Sequence, residues 1–180
     1  ARILTPGAGA EPSYAALIDV DSFVDFFLIT ELSRNIDGYR LSTYLHKERG
    51  GKLKMGPVWD MNIAFETGGR LPQDAWVADY NQYVPSDLWT VHFWWPKLKS
   101  DPYFRAKVKS RWAELRQGVW STSALTAKVD EYADYLQTNG AVARNYAKWS
   151  GIPVNYPNQI QQLKAFLIQR SAWMDGEISG

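Results

Sequence analysis

Residues 39–58 are predicted to double back as a β-hairpin, and this reversal limits the possible fold more than any other feature of the sequence. The runs 39–46 and 52–58 have strand-like patterns, and the turn ERGG between them supplies two glycines that adopt positive φ without steric cost. Asp37 precedes the first run and Asp60 follows the second. An extended chain would separate these residues by roughly 75 Å, whereas a hairpin returns the chain to its starting point. Two carboxylates are therefore predicted to line one pocket.

The composition is that of a single globular domain. The chain has 180 residues, of which 46% are hydrophobic and 22% charged, enough for one sizeable core. It has no Cys, so disulfides and thiolate metal sites are excluded. No apolar run reaches about 18 residues, so no transmembrane helix is predicted. The net charge of +1 gives no indication of a nucleic-acid partner.

The aromatic content is high, with nine Trp, ten Tyr and seven Phe. Two interpretations stay open: the rings form the core, or some of them form an exposed surface that stacks on a glycan or a peptide. Solvent exposure of the rings distinguishes the two interpretations. The candidates for a stacking surface lie in one stretch of the chain: Trp76, Tyr80, Tyr83, Trp89, Trp94 and Trp95.

The predicted fold class is mainly α with a small β-hairpin. Residues 1–13 are predicted to be a linker and residues 14–180 a single domain. A buried helix is predicted over 23–34, capped by Asp21 or Ser22, and 68–87 is predicted to be a long loop without periodicity. The C-terminal half is predicted to be helical over 87–99, 102–118, 121–140, 142–149 and 158–175, with Asp101 and Ser121 or Ser123 as caps.

Asp37 and Asp60 are the residue types, in the order along the chain, that phosphoryl transfer uses. That reaction needs a carboxylate to orient the attacking hydroxyl and hard oxygen ligands to hold Mg²⁺ against the phosphates. In protein kinases the Mg²⁺-binding Asn lies five residues after the catalytic Asp, and the corresponding position here is Ser42. Asn62, two residues after Asp60, is a further oxygen donor.

Local structural roles for the same residues stay open. Asp37 precedes Gly38, as in an ordinary Asx-turn, and Asp60 is also a candidate for a helix cap. Glu31 and Asp37 form another carboxylate pair, which in a glycosidase would flank the scissile bond.

With these residues in place, the sequence resembles the CotH kinase family, the spore-coat-H-like atypical protein kinases, in its Bacteroidetes-type form. The resemblance rests on the Asn35-Ile36-Asp37 turn and on the Trp59-Asp60-Met61-Asn62 motif. The later segments WWPKLKSDPYFRAKVKSRWAELRQG and RNYAKW also resemble this family. The resemblance covers most of residues 19–175.

This resemblance implies the kinase-like C-terminal lobe of an exported or cell-surface protein that transfers phosphate from ATP to Ser or Thr of a protein substrate. It implies ATP and Mg²⁺ as cofactors and Asp37 as the catalytic residue. Asp60, Asn62 and Ser42 are then the expected metal ligands, and Arg40 is expected to bind the cofactor. A targeting segment is expected to lie outside this sequence, because residues 1–13 lack the layout of a signal peptide.

Two alternatives to an active kinase remain. No Gly-rich hairpin and no strand Lys precede the first predicted helix, so the chain is expected to correspond to the C-terminal lobe and to bind ATP poorly by itself. A catalytically inactive pseudokinase, or a glycan- or peptide-binding module of a bacterial surface protein, is therefore the first alternative. A structural helical domain of a larger surface protein is the second.

Overall fold

The computed structural model describes residues 11–65, 70–152 and 154–180. These residues form seven α-helices, three 3₁₀ helices and one two-stranded antiparallel sheet, which confirms the predicted class of mainly α with a small hairpin. Most of the predicted linker 1–13 lies outside the described residues. The α-helices are α1 (Val20–Ser33), α2 (Tyr80–Tyr83), α3 (Trp94–Ser100), α4 (Pro102–Gln117), α5 (Thr122–Thr138), α6 (Ala141–Lys148) and α7 (Tyr156–Ser179). The strands are β1 (Leu45–His46) and β2 (Lys54–Met55), and the 3₁₀ helices are Ser13–Ala16, Ile36–Tyr39 and Val77–Asp79.

Helix α1 is the centre of the fold and is buried over most of its surface. It begins three residues before the predicted start, because Asp19 rather than Asp21 or Ser22 caps it by accepting a hydrogen bond from the Ser22 amide at 3.2 Å. Apolar residues occupy nearly every face, as expected for a helix packed on all sides. Arg34 ends the helix in the left-handed conformation, with φ of 55°.

The aromatic residues form much of the core around α1. Trp95 on α3 is completely buried, and its ring contacts rings of α1 and of the 3₁₀ helix Ile36–Tyr39. The ring centroids of its neighbours lie 4.4 to 6.5 Å away, within the range of favourable aromatic pairs; they are Phe23, Phe26, Phe27 and Tyr39. The core interpretation of the aromatic content is therefore correct for these rings.

The hairpin is present, but its strands are shorter than the predicted runs 39–46 and 52–58. Leu45 pairs with Met55 and His46 with Lys54. Tyr39 belongs to a 3₁₀ helix instead, and the carbonyl of Asp37 accepts the amides of the three residues that follow that helix. Those amides are then not available for a strand ladder, which is why the first strand begins late.

The second strand is also fixed to the segment that leads into α1. Leu53 forms an isolated parallel bridge with Ile18, and the Asp19 amide donates to the Leu53 carbonyl at 2.8 Å. The Met55 amide donates to Ser22 Oγ at 3.1 Å. Both ends of α1 are thus tied to the hairpin region, one through these bonds and the other through the turn after Arg34.

The stretch predicted as a loop over 68–87 contains local structure where it is described. The 3₁₀ helix Val77–Asp79 and the single-turn helix α2 were not predicted, because segments this short show no measurable periodicity. The predicted helix 87–99 instead begins at Trp94. Asn81 explains the difference, since its side chain accepts from the Val91 amide and donates to the Val91 carbonyl, both at 2.8 Å, and these bonds take the place of helical ones at Val91.

The C-terminal helices follow the predicted capping residues closely. Asp101 caps α4 by accepting from the Phe104 amide at 2.9 Å, with Pro102 at the first helical position, and Ser121 caps α5. Helix α7 begins at Tyr156, two residues before the predicted start. It packs against α5, α4 and α1. None of the described helices combines the length and the apolar character needed to cross a bilayer.

Candidate active site

Asp37 lies on the 3₁₀ helix that directly follows α1. Its backbone carbonyl accepts the amides of Arg40, Leu41 and Ser42 at 3.2, 2.9 and 2.7 Å. Its side chain is 19% exposed, and Oδ1 accepts a hydrogen bond from Arg40 Nε at 2.8 Å. The carboxylate is therefore anchored by a guanidinium while remaining accessible to solvent.

Asn35 connects the Asp37 turn to the segment after the hairpin. Its side-chain Nδ2 donates to the backbone carbonyl of Asp60 at 3.3 Å and contacts Met61 Sδ at 3.2 Å. A second bond, from the Phe65 amide to the Ser33 carbonyl at 2.7 Å, holds the end of the same segment against α1. The chain therefore returns to the Asp37 turn at Asp60, although 23 residues separate the two carboxylates in sequence.

Asp60 and Asn62 lie on the exposed side of this segment. Asp60 has a φ of 56°, a left-handed conformation that Asp tolerates better than most residues, and its side chain is exposed. It begins no helix among the described residues, which argues against the capping alternative. Asn62 is exposed as well.

The predicted metal ligands supply only oxygen donors, as Mg²⁺ prefers. Asp60 offers a carboxylate, Asn62 an amide oxygen and Ser42 a hydroxyl, although Ser42 is almost fully buried beneath the Asp37 turn. The described residues contain no group of three or more His, Cys, Asp or Glu arranged to hold a metal ion. Mg²⁺ is commonly held by one or two carboxylates together with waters and substrate phosphates, and this donor set fits that mode.

A buried acceptor beside these donors supports the same fit. Within the described residues, Asn35 Oδ1 is buried without a hydrogen-bond partner, while the Nδ2 atom of the same amide contacts Asp60. Buried acceptors are normally satisfied, so an orphaned oxygen next to a candidate ligand indicates a place for a water or an ion.

Arg40 and Asp87 form an ion pair that the sequence did not reveal. Arg40 Nη1 lies 2.9 Å from Asp87 Oδ2, and only 4% of the Arg40 side chain and 13% of the Asp87 side chain are exposed. The pKa of Asp87 lies well below its usual range because three donors stabilise the charged carboxylate. The largest effect comes from the Tyr80 hydroxyl, followed by the Trp89 amide and Arg40. The two residues are 47 positions apart, so no local spacing could have indicated their contact.

Glu31 has a structural role and does not face a substrate. It is completely buried, and its carboxylate accepts from the amides of Val77 and Ala78 and from the Tyr39 hydroxyl. Arg170 on α7 forms an ion pair with the same carboxylate, with Nη2 3.1 Å from Glu31 Oε2. The glycosidase alternative fails, because a carboxylate enclosed in this way cannot reach a glycosidic bond.

The six rings considered for a stacking surface do not form one continuous exposed face. Tyr80 and Trp95 are completely buried, and Trp76 and Trp94 are half-buried. Only Tyr83 and Trp89 are largely exposed. The aromatic evidence for a glycan- or peptide-binding module is therefore reduced to two rings.

One comparison with known proteins gave a match. The sequence model of a protein family described as CotH kinase protein matches residues 5–174. The matched range includes the Asp37 turn, the Trp59-Asp60-Met61-Asn62 motif and nearly all of the helical half. Searches of the curated proteins and of the solved structures found no match.

Proposed function

This chain belongs to the CotH kinase family, and we propose that it contributes the catalytic loop and the metal-binding segment of an exported kinase that phosphorylates proteins. The observation that carries the proposal is the contact between Asn35 and the backbone of Asp60. That contact holds the metal-binding candidate beside the turn that carries the catalytic candidate. Asp60 can then bind the metal of the nucleotide while Asp37 orients the hydroxyl of the acceptor protein.

Asp37 is proposed to orient the Ser or Thr hydroxyl of a protein substrate and to accept its proton. Phosphoryl transfer passes through a loose transition state, so an aspartate at this position contributes mainly by placing the nucleophile in line. The fixed carbonyl bonds of the turn and the ion pair with Arg40 give Asp37 the defined orientation that this task requires.

Asp60 and Asn62 are proposed to hold Mg²⁺, with Ser42 as a further oxygen ligand from the catalytic loop. When bound, Mg²⁺ would neutralise charge on the ATP phosphates. Asn35 keeps the Asp60 segment in place through Nδ2, and its orphaned Oδ1 suits a metal-bound water. Because Asp60 is the one carboxylate proposed as a ligand, we expect the metal to bind weakly without nucleotide.

Export to the cell surface is part of the proposal and rests on the family alone. The test is to add protease to intact and to lysed cells and to compare how fast the protein is degraded. Degradation in intact cells is expected, and protection there would contradict an external location.

The test of the catalytic assignment is a titration of ATP and Mg²⁺ into the full-length protein that carries this chain. Asp60→Ala is expected to abolish Mg²⁺-dependent nucleotide binding. Asp37→Ala is expected to leave nucleotide binding intact and to lower phosphate transfer by at least about a hundredfold, the usual contribution of an acid–base residue. Asp134→Ala, which removes an exposed carboxylate on α5, is the charge-matched control and should change neither quantity.

Unchanged binding and unchanged transfer in both variants would contradict the proposal. A wild-type protein that neither binds ATP nor transfers phosphate would instead favour the pseudokinase alternative. In that case the exposed rings of Tyr83 and Trp89 are the first places to examine for a glycan or peptide ligand, by quenching of Trp fluorescence.

A further inference from the structure

We infer that Asp87 is a positioning residue that acts through Arg40 to hold the carboxylate of Asp37 in one orientation. The inference rests on the proposed function, in which Asp37 orients the substrate hydroxyl. Arg40 Nε lies 2.8 Å from Asp37 Oδ1, and Arg40 Nη1 lies 2.9 Å from Asp87 Oδ2. One guanidinium therefore connects the catalytic turn to a residue 50 positions later in the chain.

Asp87 is suited to be the fixed point of this connection because hydrogen-bond donors engage both of its oxygens. The Trp89 backbone amide donates to Oδ1 at 3.0 Å, and the Tyr80 hydroxyl donates to Oδ2 at 2.5 Å. Tyr80 is itself completely buried in the core. Arg70 also approaches Oδ2, at 3.2 Å, but its side chain is mostly exposed and adds little restraint.

Arg40 is held on every side and is shielded from solvent. Its guanidinium lies over the Tyr80 ring at 4.8 Å and donates to the Trp89 carbonyl as well as to the two carboxylates. The ion pairs are partly buried, and salt therefore screens them less than a fully exposed surface pair. The planar fork of Arg can engage two carboxylates in fixed directions, which a Lys ammonium cannot reproduce.

The consequence at Asp37 is a carboxylate with one oxygen restrained and one available. Arg40 engages Oδ1, and among the described residues no donor contacts Oδ2. Because a misplacement of about 1 Å at a reacting group can cost roughly a hundredfold in rate, a restraint on this side chain matters for transfer more than for folding. Arg40 is thereby assigned to positioning Asp37, and the expectation from the family resemblance that it binds the cofactor stays a prediction.

The first experiment measures the restraint directly and needs no catalytic activity. In the full-length protein with isotope-labelled Arg and Asp, NMR reports the exchange of the Arg40 Nε proton and the side-chain couplings of Asp37. In Asp87→Ala we expect the Nε proton to exchange at least about tenfold faster, and the Asp37 couplings to average over rotamers. Glu114→Ala, which removes one of the two exposed acidic partners of Arg111, is the matched control and should change neither signal.

The second experiment separates catalysis from nucleotide binding. Asp87→Ala is expected to lower kcat at least about tenfold while the KM for ATP stays unchanged, because the residue acts only on the orientation of Asp37. Arg40→Lys should show the same pattern. The double variant Arg40→Met with Asp87→Ala should be no slower than Arg40→Met alone, since both residues act through one bridge.

Two outcomes in Asp87→Ala would overturn the inference. The first is a set of unchanged NMR signals, whatever the activity. The second is a raised KM for ATP with unchanged kcat, which would make Arg40 a nucleotide ligand. If Asp87→Ala does not fold, Tyr80→Phe keeps the ring over Arg40 and removes only the hydroxyl donor; it should give the same changes in smaller size. If the wild-type protein transfers no phosphate, the proposed function fails, while the NMR experiment still decides whether Asp87 holds Asp37.

Discussion

Asp87 illustrates how strongly a single side chain here depends on its neighbours. It follows a stretch of low periodicity and would ordinarily be a solvated loop residue. Instead it accepts from Tyr80, the Trp89 amide, Arg40 and Arg70, and the first of these makes the largest contribution to lowering its pKa. A carboxylate whose charged form is favoured in the folded state links folding to pH.

This linkage gives a prediction for the acid range. Because the folded-state pKa of Asp87 lies below the ordinary value of about 4, its stabilising effect is complete above that pH and is lost as the pH falls toward the folded-state pKa. The urea midpoint of the wild type should therefore fall more steeply below about pH 4 than that of Asp87→Asn. Asp134→Asn, at an exposed position, should follow the wild type. Parallel curves for the wild type and Asp87→Asn would contradict the prediction.

At the scale of elements, the helix caps decide where the C-terminal helices begin. Asp101 and Ser121 each place a side-chain oxygen on an amide of the first turn; the sequence predicted Asp101 as a cap and offered Ser121 as one of two candidates. Asp101 also makes a contact that the sequence does not indicate. Its Oδ1 accepts a hydrogen bond from the buried hydroxyl of Tyr14, which joins the 3₁₀ helix Ser13–Ala16 to the start of α4.

The two caps should therefore differ in their contribution to stability. Asp101→Ala removes a cap and leaves the Tyr14 hydroxyl unsatisfied, so we expect a loss of about 2–3 kcal/mol in the free energy of unfolding. Ser121→Ala removes a cap and an exposed contact with Ser123 but leaves no buried hydroxyl unsatisfied, and it should cost about 1 kcal/mol. Urea denaturation measures both. Adding Tyr14→Phe to Asp101→Ala should recover part of the loss, and equal losses for Asp101→Ala and Ser121→Ala would show that the Tyr14 contact contributes nothing.

At the scale of the whole molecule, Arg170 ties the last helix to the first. Its guanidinium donates to the Glu31 carbonyl at 2.9 Å and to the Glu31 carboxylate at 3.1 Å, across 139 residues of sequence. It also donates to the carbonyls of Gln73 and Ala75 and lies over the Trp173 ring. Arg34 holds the neighbouring carbonyls of residues 71–73, so two buried guanidinium groups organise this segment.

Removing one side of the buried pair should be costly. Arg170→Met leaves the Glu31 carboxylate buried without its counter-charge, and such changes typically cost about 3–5 kcal/mol. Urea denaturation followed by circular dichroism is the measurement. Lys128→Met removes an exposed partner of Glu131 and should leave the midpoint unchanged. An equally small effect for Arg170→Met would mean that the pair contributes little to holding α7 on α1.

Local patterns predicted much of this protein but missed contacts between distant segments. The hairpin, most helix starts and the candidate residues Asp37 and Asp60 were predicted from turn residues, caps and motif spacing. The strand lengths, the start of α3 and the structure over 77–83 were not. These features depend on side chains such as Asn81, whose bonds to Val91 replace the expected first turn of a helix.

The sequence by itself determined the helical class, the reversal of the chain between Asp37 and Asp60, and the family, because these depend on neighbours within a few positions or on motif identity. Only the tertiary structure decided that Asn35 meets Asp60, that Arg40 bridges Asp37 and Asp87, and that Glu31 is enclosed by Arg170. The physical reason is that a charged group buried on folding needs an oppositely charged or hydrogen-bonding partner. That partner is set by which segments pack together, and the spacing of residues along the chain does not indicate it.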